Sequence, residues 1–113
     1  MDKVETYEWI IIDLLNGYAT TWESSHRAIT NQVIADRDSH HYQLVRFGWI
    51  NHEEYLHNCL FHIDIIEDKV WIQENRTDIS IAEDLVEMGV SKEDIVLGML
   101  PAELRKDSEY SSV

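Results

Sequence analysis

Lysine and arginine are scarce in this chain: nine of them stand against 22 aspartates and glutamates in 113 residues, a formal net charge of -13 with histidine neutral. Nucleic-acid affinity is built largely from lysine and arginine contacts that release counterions from the phosphate backbone. The shortage therefore excludes direct nucleic-acid binding as the expected mode of action, and any link to DNA has to run through a partner. The deficit is uneven. Residues 1–52 carry seven acids and four bases, whereas residues 53–113 carry fifteen acids and five bases. A field of that sign steers encounter with a basic protein surface and says nothing about the fold.

Cysteine is scarcer still. Cys59 is the only one, which removes any internal disulfide and any multi-cysteine zinc site. Four glycines, one proline and 44% hydrophobic residues argue against a disordered or low-complexity segment. No apolar run approaches the roughly 18 residues of a membrane span. Met1 is followed by Asp2, Lys3 and Glu5, a start without the cationic and apolar regions of a signal peptide. A cytoplasmic protein is expected, with the Asn75-Arg76-Thr77 sequon idle. The length fits one domain over residues 1–113, with a polar tail over 106–113 that stays loose unless a neighbour holds it.

What is present is strongly patterned. Val4, Tyr7, Ile11, Leu14, Leu15, Tyr18 and Trp22 fall at the three-and-four spacing of one helical face, predicting a long amphipathic helix from Lys3 to about Trp22. From Asn31 to Glu74 the residues turn β-branched and aromatic, broken by polar clusters. This predicts four antiparallel strands over 32–35, 41–49, 55–66 and 69–73. With Glu67-Asp68 as a two-residue turn, Ile65 lies opposite Val70, Ile63 opposite Ile72, Asp64 opposite Trp71 and His62 opposite Gln73. Ser80 and Glu83 fit the start of a second helix that Gly89 closes, Ser91 and Asp94 open a short turn, and Pro101 suits the start of a last short helix. The expected fold class is α+β, a four-stranded antiparallel sheet with the long helix on one face and short helices at the end.

Few residues suggest chemistry. His62 and Asp64 share a strand face, and His40 or His41 could approach from a neighbouring strand, but no third metal ligand stands at a diagnostic spacing. Pairing of Asp64 with a base such as Arg46 accounts for it more simply, so neither a metal nor another cofactor is expected. Asp64 with Glu67, Asp68 and Lys69 spells the acidic order of a metal-dependent nuclease, yet Glu67 and Asp68 fall in the turn itself. Cys59 reads as structural, on the apolar side of its strand. No phosphate loop, nucleophile elbow or other catalytic set is visible.

A sheet covered on one side leaves its other face to water, and here that face would carry Trp71 with Leu60, Ile66 and Leu44. Exposed apolar area of that kind marks an interface with a partner or a second copy, unless the carboxy-terminal segment folds over Trp71.

Tyr42-Gln43-Leu44-Val45, Gly48-Trp49, His62-Ile63-Asp64-Ile65, Lys69-Val70-Trp71-Ile72-Gln73, Ile81-Ala82 and Gly89-Val90-Ser91-Lys92-Glu93-Asp94-Ile95-Val96-Leu97 together resemble the XisI family of cyanobacteria over nearly the whole chain. The resemblance implies a non-enzymatic controlling factor for excision of the fdxN element, a DNA segment removed by a site-specific recombinase during heterocyst differentiation. It also implies a partner, XisH, which itself resembles a nuclease. Two other functions stay open: an acidic, antitoxin-like neutraliser of an XisH-like nuclease, and a small metal-dependent enzyme built on His62 and Asp64.

Overall fold

The computed structural model describes residues 2–22 and 28–113. Helix α1 (Lys3–Thr21) opens at Asp2, whose carboxylate accepts the Glu5 N–H at 2.8 Å. That bond satisfies one of the amides a helix start leaves unpaired. Ile11 and Leu15 are fully buried along its apolar stripe.

The sheet has five strands in the order β1 (Ile29–Asp36), β2 (His41–Trp49), β3 (Tyr55–Ile66), β4 (Lys69–Asn75) and β5 (Ile95–Leu97). The expected count of four is thus one short. The first four strands run antiparallel, and β5 lies parallel to β4 after a crossover through α2 (Ile81–Glu87) and a 3-10 turn at Lys92–Asp94. Three residues are too few to show a period-two pattern, so β5 is set by its pairing with Val70, Trp71 and Ile72 and not by local propensity.

The β3–β4 turn is the two-residue connection expected. Glu67 and Asp68 both take positive φ, 49° and 65°, the backbone of a type I′ turn, which matches the twist of the strands it joins. Ile65 faces Val70, Ile63 faces Ile72 and Asp64 faces Trp71. A shift after Ile63 then pairs His62 with Glu74, where unbroken register would give Gln73. A second irregularity pairs Leu44 with Phe61 and Val45 with Cys59, leaving Leu60 as the extra residue. Bulges of this kind change which face a strand's residues address.

The core lies between α1, α2 and one face of the sheet, around Tyr42, Leu44, Phe61, Ile63, Val70, Ile72, Leu85 and Ile95. Phe61 stacks on Tyr18 at 5.3 Å and on Trp22 at 6.2 Å between ring centroids. Gly48 adopts φ 143°, and a Cβ there would meet the Ala28 carbonyl oxygen at 1.8 Å, so the start of β1 reaches β2 only past a glycine. Gly89, at φ 116°, ends α2 as expected.

Helix α3 (Ala102–Arg105) follows Pro101. The tail beyond it, expected to be loose unless a neighbour holds it, has such a neighbour in β5. The Ser111 N–H donates to the Ile95 carbonyl at 2.8 Å along the outer side of β5, and Tyr110 packs against the core. No helix among the described residues is long and apolar enough to cross a membrane.

Candidate functional site

Alternation along β3 sends His62, Asp64 and Ile66 to the face of the sheet opposite the helices. β2 sets His41 directly across from Asp64. His41 Nδ1 donates to Asp64 Oδ1 at 2.8 Å and His62 Nε2 to the same oxygen at 2.9 Å. The Gln73 amide donates to Oδ2 at 3.3 Å. Gln73 is the extra residue of the β4 bulge and lies two residues after Trp71, which faces Asp64.

Asp64 is therefore a buried carboxylate, 7% exposed, held by three side chains. Burial alone would raise its carboxyl, but the hydrogen bonds from His41 and His62 outweigh that and hold it below its ordinary value. The same bond to Asp64 raises His41. The sequence paired His62 with Asp64 but left the third member open between His40 and His41. Arg46 lies two residues from Leu44 on the helix side of β2 and does not reach Asp64. The nuclease-like arrangement does not form either: Lys69 Nζ donates to the Glu93 carbonyl at 2.9 Å and sits 3.7 Å from Asp94.

The other end of this open face is aromatic. Trp49 and Tyr55 pair across β2 and β3 edge to face at 5.1 Å, both about half exposed. Phe47 and His57 lie beside them at 6.1 Å, and Ile34 of β1 completes the patch, lining a shallow concavity with Val45, Phe47 and Tyr55.

The four residues expected here divide. Ile66 is on the open face and 41% exposed. Trp71 is on it too, with the Arg105 guanidinium 5.1 Å above its ring and Gly98 against it, so the carboxy-terminal segment partly covers it. Leu44 and Leu60 are not on it. Leu44 pairs with Phe61 on the helix side and is fully buried, and the bulge turns Leu60 into the core. By the same shift Cys59 moves to the open face opposite Val45, half-buried, with burial pushing its thiol up.

On the helix side, Glu8 and Asp94 are buried carboxylates; the sequence marked Asp94 only as part of a turn and Glu8 not at all. Arg37 donates to Glu8 Oε1 through Nε and Nη2 at 3.0 and 2.9 Å, and the Tyr42 hydroxyl donates to Oε2 at 2.7 Å. Asp94 accepts the Tyr7 hydroxyl at 2.5 Å and pairs with Lys3 at 2.8 Å. Glu8 had a signal: it sits four residues after Val4 and three before Ile11, inside the apolar stripe.

These pairs bear on the outer surface. Among the described bases, Lys3, Arg37, Lys69, Arg76 and Lys92 each pair with a carboxylate, and Arg105 donates to the carbonyls of Leu97, Gly98 and Val113. Most of the few cations thus have partners within the chain, two of them the buried Glu8 and Asp94, and the excess carboxylates define the field outside it.

The sequence matches the family described as XisI protein over residues 1–112. A solved XisI-like protein from Anabaena variabilis ATCC 29413 superposes with a TM-score of 0.88 at 36% identity, covering 96% of this chain and 97% of its own. A second structure from that organism, the fdxN element excision controlling factor XisI, has a TM-score of 0.84 at 22% identity over 99% of this chain and 100% of its own, and shares the fold. No curated protein matches the sequence.

Proposed function

The chain belongs to the XisI family, and from that membership we propose that it is a controlling factor for excision of a DNA element of the fdxN type during heterocyst differentiation, working by contact with proteins and not by catalysis. The observation that carries this is electrostatic: a net charge of -13, with five of the described bases paired with the chain's own carboxylates. Such a surface is repelled by phosphate and attracted to the basic protein surfaces that handle DNA.

The partner is an XisH-like protein, and through it a recombinase feels the effect indirectly. The docking surface is the open face of the sheet, with Trp49 and Tyr55 as half-exposed aromatic anchors beside Ile34 and Phe47, and with Ile66 and the uncovered part of Trp71 toward the other end. The same charge supports a second reading, in which the chain neutralises a nuclease-like partner by covering its basic DNA path. Size-exclusion chromatography of the protein mixed with its co-encoded XisH-like partner tests both. A shared peak at moderate salt that splits at high salt is the expected result, and separate peaks at every salt concentration remove the proposal. Cleavage of DNA by the partner alone, silenced on mixing, selects the second reading.

A further inference from the structure

We infer that His41, His62 and Asp64 form a binding site for a divalent transition-metal ion, Zn2+ in the first instance, on the open face of the sheet. One ligand atom from each residue lies within 4.8 Å of the others. Two imidazoles and a carboxylate are the donor set of an open zinc site, which leaves at least one position to solvent or to a donor from another molecule. Metal–nitrogen and metal–oxygen distances near 2.0–2.2 Å put neighbouring donors roughly 3.3 Å apart in a tetrahedral site. The present separations of 2.8 and 2.9 Å therefore open by only a few tenths of an ångström when an ion replaces the two N–H protons.

The surroundings favour such an ion. The donors sit on β2 and β3, interior strands of the sheet, in fixed register, His41 opposite Asp64, so little ordering accompanies binding. Gln73 holds the second carboxylate oxygen, the outer support that orients a ligating carboxylate. The side chain of His41 is 56% exposed and that of His62 31%, which gives an ion a path in, and the acidic field raises cation concentration at the surface. The inference does not depend on the partner reading above.

The test is calorimetric titration of the tag-free full chain with Zn2+ near neutral pH, with Co2+ as a second probe read by its visible absorption. One ion per chain is expected, with His41→Gln, His62→Gln and Asp64→Asn each weakening binding by about tenfold or more and abolishing the tetrahedral Co2+ bands, at unchanged far-ultraviolet circular dichroism. His41 is exposed enough for its variant to keep the fold, so the result stands even where Asp64→Asn does not fold. Absence of saturable binding overturns the inference, and so does wild-type affinity in both histidine variants, which would place the ion elsewhere, such as on His52 and His57.

Discussion

Glu8 and Asp64 are both buried carboxylates with several donors each, yet they are completed in different ways. Glu8, on the helix side, is closed by the permanent cation of Arg37 and by the Tyr42 hydroxyl. Asp64, on the open side, is closed by an amide and by two imidazoles, whose ring nitrogens are possible metal ligands. The first arrangement fixes α1 onto the β1–β2 hairpin and has no capacity left over. The second sits where solvent and partners reach it. Stability is concentrated on one face of the sheet, and adaptable chemistry on the other.

That contrast can be broken most severely through the covered core. Phe61→Ala removes a ring stacked between helix and sheet and is expected to cost about 3–5 kcal/mol, with half-buried Phe47→Ala on the open face costing less. Equal losses in urea denaturation would erase the distinction between the faces. Next comes Arg37→Ala, which strips the only permanent charge from Glu8 among the described contacts. It should cost about 1–3 kcal/mol, more than His41→Ala beside Asp64, where the lost side chain is largely exposed. Reversal of that order in the same assay would mean that the open cluster carries the fold.

Acid sharpens the comparison with the smallest change. Burial would raise the Glu8 carboxyl, but the bonds from Tyr42 and Arg37 prevail and leave it below its ordinary value of 4.5. Asp94 is likewise lowered from 3.8, against burial, by its bonds to Lys3 and Tyr7. The unfolded chain then takes up protons first as pH falls. The contribution is complete above the ordinary values and is lost as pH drops through the lower folded-state ones. Urea midpoints measured from pH 6 downward should decline along that limb, and Glu8→Gln should flatten it.

Much of the fold was legible in the sequence because it is local. The apolar stripe of α1 marked its length to within a residue, the ends of β2 and β3 coincide with their polar breaks, and matched aliphatic pairs gave the register next to the Glu67-Asp68 turn. What was not legible is non-local or parity-breaking. The three residues of β5 carry no alternation of their own. The extra residues Leu60 and Gln73 leave no compositional trace, yet the first turned Leu60 into the core and brought Cys59 out, while Leu44 is in the core by simple alternation with Tyr42. His41 could be named as a neighbour of Asp64 only once the β2–β3 register was known. The Trp49–Tyr55 pair depends on the same register, since Trp49 ends β2 and Tyr55 begins β3.

The way the chain's last residues lie along β5 limits what lateral growth is possible. Ser111 bridges to Val96 on the outer side of β5, so among the described residues the rim of β1 offers more free backbone for strand addition than that margin does. Joining of two copies through backbone edges is therefore expected at β1 before it is expected at β5.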